Sequence, residues 1–427
     1  MQRRCGIKLI VTLAVLVALA VAAAAQPAHA HELTAQGRER ISSFMAEATG
    51  PRGHLGAVTL LARAGRVVEL QTYGSRDLQR RVPMTADAIF RIYSMSKAVA
   101  AVATLILVDQ GRLSLDDPVA RHLPDFERLQ VFEGGTAAAP QLRPARRPIT
   151  VRQLLTHTSG FATGGRGIEE PSLLLQRAGL QGSADLKDYA AGVARLPLAS
   201  DPGERFRYDG VQYEVLGRLI EVASSMPLEA FVQQRIFGPL KMVDTGFSVP
   251  SAQRGRIVDI STMGPAGSLV LAGGPSATEP GVRLRPYASL AGGLYSTAPD
   301  FMRLCQMLLN GGTLDGAQVL GRDSVATMLS NQLVQTDPPP GLLPTQARPG
   351  EGMGLGGWVI LDEPQRSRPG SVGSFGWSGA SSTYFMIDPK LQLIAILLLQ
   401  HLPPDDGPDL PKLNTRFFDL VTQALAP

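Results

Sequence analysis

The sequence predicts an α+β protein of α/β-sandwich type: one antiparallel β-sheet flanked by helices, with a largely helical inserted domain dividing its strands. Three observations carry this. A hairpin pattern stands near the start, at residues 55–61 and 67–73, with Ala64-Gly65 as the turn. Strand patterns return only near the end, from residue 356 onward. Between them lie helical stretches joined by Gly- and Pro-rich loops. The expected division is a leader at 1–30, a discontinuous sheet domain at 31–115 and 290–427, and a mostly helical inserted domain at 116–289.

Taken in order, residues 1–30 read as a secretory signal. Arg3, Arg4 and Lys8 form a basic start, an apolar run follows, and Ala28-His29-Ala30 fits a small-x-small cleavage site. The rival reading is an uncleaved N-terminal membrane anchor, for which the apolar run is short against the roughly 20 residues a span needs. The expected location is the periplasm or the outside of the cell. Residues 32–48 follow as an amphipathic helix, and then the hairpin. Within 89–109 a buried helix opens at Ser94, continues as Ala, Val and Leu, and closes at Gly111. Residues 133–148 are small, proline-rich and basic and read as an exposed insertion. A helix at 213–224 has apolar positions 215, 216, 219, 220 and 223. Residues 335–352, with three consecutive prolines at 338–340, read as a loop. Strands at 356–361, 381–387 and 391–400 come next, the last continuously apolar as a central strand requires, and a helix at 413–425 closes the chain.

Charge excludes one class of partner. The 41 basic and 37 acidic residues leave a net charge of +4, and three of the basic residues belong to the leader, so the mature chain is near neutral. Nothing calls for nucleic acid. Beyond the leader the only cysteine is Cys305, so an exported chain would fold without an internal disulfide and must rely on its hydrophobic core.

The chemistry concentrates at Ser94-Met95-Ser96-Lys97. Only six of the basic residues are lysine, and no other lysine has a serine three positions before it. At that spacing on a helix the two side chains share a face. A lysine can lose its proton and act as a base, which an arginine cannot. The serine also stands at the positive end of the helix dipole. The same spacing fits a Ser helix cap with a solvent-facing lysine, but residues 98–107 are apolar on nearly every face and leave Lys97 little solvent side. Tyr208, in a loop before the helix from Tyr213, is either a packed ring or a general base whose phenol titrates near positive charge. Phe375-Gly376-Trp377-Ser378-Gly379-Ala380-Ser381 has glycines that let a strand approach a substrate closely, or that mark a bulge beside a packed tryptophan. Other chemistries lack their patterns. No serine has glycine at both −2 and +2, there is no His-Glu-x-x-His, the histidines are scattered, and no P-loop is present. No metal and no cofactor is expected.

Together these pieces resemble the serine β-lactamase and penicillin-binding-protein superfamily, and more closely its class C β-lactamases, D-Ala-D-Ala carboxypeptidases, D-aminopeptidases and family VIII carboxylesterases. Thr150-Val151-Arg152-Gln153-Leu154-Leu155-Thr156-His157-Thr158-Ser159-Gly160 and Gly292-Gly293-Leu294-Tyr295-Ser296-Thr297 onward to Asp300 look like two of its segments. Both are read as scaffold, so His157 is expected to be structural. The resemblance implies a β-lactamase/transpeptidase-like fold, Ser94 as acyl-accepting nucleophile, Lys97 as the amine that activates it, and Tyr208 as base and then acid. The strand motif, Lys-Thr-Gly in many members, falls on Trp377-Ser378-Gly379, and the oxyanion hole on the backbone N–H groups of Ser94 and Ala380.

Two positions depart from that pattern. Gly210 stands where the family's Tyr-x-Asn motif has asparagine, and Trp377 stands where the strand motif has lysine. Loss of that cation disfavours substrates with a carboxylate, such as β-lactams and peptidyl-D-alanine. The expected activity is therefore a carboxylesterase on small-molecule esters. Amide or peptide hydrolysis, weak β-lactamase activity, and a binding protein that kept the scaffold without the chemistry are the alternatives.

Overall fold

The computed structural model describes residues 32–164, 169–333, 349–366 and 368–425. The leader expected at 1–30 and most of the loop expected at 335–352 lie outside them. The first helix, α1 (Ala35–Ala48), is capped by Thr34, whose hydroxyl accepts from the Gly37 amide at 3.0 Å. Strands β1 (Gly56–Arg63) and β2 (Arg66–Gly74) follow as a hairpin. Ala64 and Gly65 both take positive φ, 49° and 78°, as a two-residue turn of the type that matches strand twist requires.

The next segment differs from the expectation. Phe90–Arg91 is a short strand paired with Tyr295–Ser296, which the sequence did not foresee. A 3-10 turn at Tyr93–Met95 then leads into α2 (Ser96–Asp109), so Ser94 sits just before the α-helix proper. Every residue from 96 to 107 is buried. At about 1.5–3 kcal/mol for each fully buried large apolar side chain, this helix anchors the core. The stretch expected as an exposed insertion is an ordered hairpin, Gln130–Thr136 with Ala139–Pro144. Arg143 pins it to the fully buried Asp201 through two hydrogen bonds of 3.2 and 2.6 Å. Several helices follow, among them α3 (Val211–Ser224) and α4 (Ala298–Leu309).

The chain then returns to the sheet with β3 (Glu351–Met353), β4 (Trp358–Ile360), β5 (Phe375–Gly379), β6 (Thr383–Asp388) and β7 (Leu393–Leu398), and ends in α5 (Asn414–Ala424). The seven strands are ordered β3-β4-β5-β6-β7-β1-β2, and every neighbouring pair is antiparallel. Strand β7 is buried along its whole length between β6 and β1. Its alternation divides the core as a pleated strand must. Ala395 and Leu397 face Ile41 and Met45 of α1 and Phe417 and Val421 of α5. Ile394, Ile396 and Leu398 face the other layer, which includes Val99 of α2 and Phe301 of α4. That second cluster continues into Leu154, Tyr213 and Phe231, so the sheet and the helical stretch share one core.

Candidate active site

The first turn before α2 sets the position of Ser94. Tyr93 takes a φ of 41°, left-handed for a bulky residue, and this reversal separates the short strand from the helix. The Ser96 hydroxyl accepts from the Leu294 amide at 3.3 Å and ties the helix start to the Gly292-Gly293 segment. Ser94 itself is half-buried. Lys97, one turn on, is 2% exposed. Its Nζ donates to Ser94 Oγ at 2.9 Å and to the Ala291 carbonyl at 2.6 Å. Lys97 Nζ also lies 5.1 Å from the centre of the Tyr208 ring and 5.3 Å from that of Tyr213.

Tyr208 closes the third side. Its hydroxyl donates to Ser94 Oγ at 2.7 Å. The loop that carries it is held by the Leu154–Gly160 region of the chain: the Arg207 amide donates to the His157 carbonyl at 2.8 Å, and the Gly203 amide to the Thr158 carbonyl at 2.7 Å. Gln212 Nε2 adds a bond to the Arg207 carbonyl at 3.0 Å. The His157 ring packs 4.7 Å from Tyr208, centre to centre. Complete burial, with the Lys97 charge as a second cause, pushes its imidazole well below the usual range, so it is neutral. His157 thus backs the site without touching Ser94.

The strand motif lies on β5 as expected, but its residues do something different there. Trp377 is half-buried, stacks on His157 and packs 5.5 Å from the Tyr208 ring. It packs against Tyr208 and is not among the residues that line the cavity in front of Ser94. Ser378 is half-buried opposite Tyr384 of β6. Gly379 is needed for a protein contact: a Cβ there would fall 2.3 Å from the Ile92 carbonyl oxygen and 2.2 Å from Thr383 Oγ1. At Gly376 a Cβ would fall 2.4 Å from the Phe385 carbonyl oxygen. The close approach that these glycines permit is between strands, and between β5 and the chain entering Ser94, rather than to a substrate. Ala380 is exposed at the end of the strand.

In front of Ser94 lies a cavity of about 640 Å³. Ser94, Lys97, Tyr208 and Gly210 form one side, and Leu175, Leu180 and Leu284 give it an apolar wall. Gly210 is tightly placed, because a Cβ there would meet the Ala291 Cβ at 3.3 Å. The amine partner that the family's asparagine would offer Lys97 is here the Ala291 carbonyl. Sequence reasoning missed Glu214, which also lines this cavity. Burial pushes its carboxyl up to about 7, and Ser289 Oγ donates to Oε1 at 2.6 Å. The signal available in the sequence was its place one turn into α3, among the apolar positions of a buried helix.

The two segments read as scaffold hold the site from behind. Thr150 and Gln153 form a reciprocal capping box ahead of His157. Thr297 caps α4 by accepting from the Asp300 amide at 3.2 Å, and the buried Asp300 accepts from Thr245 at 2.9 Å. Among the described residues, no group of three His, Cys, Asp or Glu is placed to hold a metal ion.

Known proteins similar to this chain are numerous. A family profile described as Beta-lactamase matches residues 38–416. An uncharacterised protein of Mycobacterium tuberculosis is 35% identical over 354 residues, 82% of this chain and 86% of its own length. Esterase EstB of Burkholderia gladioli is 28% identical over 383 residues, 84% of this chain and 89% of its own. The solved structure of EstCE1, a hydrolase with promiscuous acyltransferase activity, superposes with a TM-score of 0.71 at 23% identity and covers 90% of this chain and 98% of its own. The chain belongs to the Beta-lactamase family and is a serine hydrolase of that fold.

Proposed function

We propose that this protein is an exported carboxylesterase that works through an acyl-enzyme on Ser94. One observation carries the reading: Ser94 Oγ lies within hydrogen-bond distance of both Lys97 Nζ, at 2.9 Å, and Tyr208 OH, at 2.7 Å. A hydroxyl so held can lose its proton to a neighbouring base as it attacks. In this scheme Oγ bonds to the ester carbonyl carbon while its proton passes to the Lys97–Tyr208 pair. The backbone N–H groups of Ser94 and Ala380 hold the developing oxyanion, and removal of one such donor costs about 2.7–4 kcal/mol in the barrier. Collapse breaks the bond to the alcohol oxygen, which takes the proton from Tyr208. Water then attacks the acyl-enzyme with Tyr208 as base, releasing the acid and returning the proton to Ser94.

The ester preference rests on Trp377 in place of a lysine and on the apolar wall of the cavity. The resemblance to esterase EstB supports it. Export rests on the pattern of residues 1–30 and predicts a mature N-terminus at His31 in the periplasmic or secreted fraction.

The test is covalent labelling of folded protein by a fluorophosphonate, with hydrolysis of p-nitrophenyl butyrate followed in parallel. Label on Ser94, and loss of both label and turnover in Ser94→Ala, is expected. Wild-type rates in Ser94→Ala would remove the nucleophile assignment. Folded wild-type protein that takes no label would favour a binding protein on this scaffold.

One observation favours a second reading. Arg285 lines the same cavity and could meet a substrate carboxylate that Trp377 cannot. A strong preference for nitrocefin over p-nitrophenyl butyrate would select a β-lactamase or peptidase instead.

A further inference from the structure

The wall of the cavity that takes no part in the scheme above is polar and incompletely paired. Glu214 is 6% exposed, and Ser289 occupies only its Oε1. Among the described residues Oε2 has no hydrogen-bond partner, although it is buried. The hydroxyl of Tyr287 is in the same condition. Tyr287 is 6% exposed, lines the cavity, and packs 5.6 Å from the ring of Tyr189, another lining residue. A buried acceptor and a buried phenol without partners are costly to a fold, so their retention beside a cavity needs a reason.

From this wall we infer a specificity subsite, formed by Glu214, Ser289 and Tyr287, that binds a hydroxyl group of the substrate. A hydroxyl carries one donor for Glu214 Oε2 and acceptor capacity for the Tyr287 phenol, and the two residues are near enough that, after burial, the Glu214 carboxyl also raises the Tyr287 phenol. An ammonium would meet Arg285 and Lys97 in the same cavity, and both cations act on the Glu214 carboxyl. A carboxylate would face Glu214 itself. The neutral group with one donor and free acceptor capacity fits best. The inference rests on the cavity in front of Ser94 being the substrate site.

The subsite could receive a hydroxyl from either half of an ester, and the experiment separates the two. Ser94→Ala protein is titrated with ethyl butyrate, ethyl 3-hydroxybutyrate (hydroxyl on the acyl half), 2-hydroxyethyl butyrate (hydroxyl on the alcohol half) and ethyl 3-aminobutyrate. Binding is measured apart from turnover, so the hydroxyl preference is read separately from the catalytic rate. One hydroxylated ester is expected to bind about tenfold or more tightly than ethyl butyrate, because a site built for a hydroxyl is left with unpaired groups by an analogue that lacks it. In the Glu214→Leu and Tyr287→Phe backgrounds that ratio is expected to fall to within about threefold. The second variant removes one oxygen atom and guards against a folding defect in the first. Wild-type kcat/KM should show the same order of esters. Equal binding of the four esters, a preference for the amine, or a ratio that survives both substitutions would overturn the inference. Absence of turnover with the hydroxyl preference intact would instead remove the esterase reading and leave the subsite standing.

Discussion

The rings of Trp377 and His157 lie stacked, 6.5 Å apart with their planes 13° from parallel, and both rest against Tyr208. The residue that replaces the strand-motif lysine therefore belongs to the support of the proposed base. It packs 5.5 Å from the Tyr208 ring, centre to centre. A tyrosine held at 2.7 Å from the reacting oxygen owes that distance to what packs behind it.

Trp377→Ala should lower kcat about ten- to a hundredfold on p-nitrophenyl butyrate with little change in KM, because small losses of alignment are costly while the cavity walls stay in place. Steady-state kinetics checks the split. A raised KM with unchanged kcat would mean that Trp377 touches the substrate after all.

Gly210→Asn, which restores the family's residue, should slow acylation by about tenfold rather than improve it. The new Cβ would sit 3.3 Å from that of Ala291, whose carbonyl holds Lys97 Nζ at 2.6 Å. Displacing that carbonyl moves the amine away from Ser94, a misplacement of the kind that costs one or two powers of ten. Pre-steady-state release of p-nitrophenol gives the acylation rate directly, and a faster burst in the variant would refute the argument.

Burial lowers the imidazole of His54 from 6.5 to about 4, the Pro411 carbonyl at 3.1 Å being its recorded partner. The folded state then binds fewer protons than the unfolded one between these values. Its contribution to stability is present above pH 6.5 and lost as the pH falls toward 4, by roughly 3 kcal/mol at about 1.4 kcal/mol per pH unit. Urea midpoints of wild type and His54→Phe should converge as the pH is lowered through this window. A gap that does not change with pH would show that His54 does not titrate there.

Glu214 has the opposite sign. Its carboxyl is raised from 4.5 to about 7, so the folded state binds more protons, and stability is lost as the pH rises from 4.5 through 7. Glu214→Gln removes the titration. Relative to wild type it should gain up to roughly 3 kcal/mol between pH 4.5 and pH 8, at about 1.4 kcal/mol per pH unit. Thermal midpoints at the two pH values are the check, and a constant difference would place the carboxyl in a more solvated setting than its 6% exposure implies.

Much of the sheet was legible because a buried strand needs an unbroken apolar run and a hairpin needs a turn that tolerates positive φ. Residues 393–398 and Ala64-Gly65 supply these locally. The start of α2 was misread by two residues and the short strand Phe90–Arg91 was not foreseen, since apolar character alone does not separate a short strand from a helical turn. The hairpin at 130–144 was hidden by its prolines and small residues, and it is held by a distant partner, Asp201.

The sequence by itself determined the fold class and the meeting of Ser94, Lys97 and Tyr208, because Ser94 and Lys97 are bound by helical spacing and the family's motifs recur in order around them. Tertiary structure alone decided what the remaining side chains face. Trp377 packs against Tyr208, the glycines of β5 make room for neighbouring backbone, and Glu214 lines the cavity. These depend on contacts between segments a hundred or more residues apart, such as Tyr208 with Ser94 and Trp377, and no local pattern encodes the direction of a side chain across such a gap.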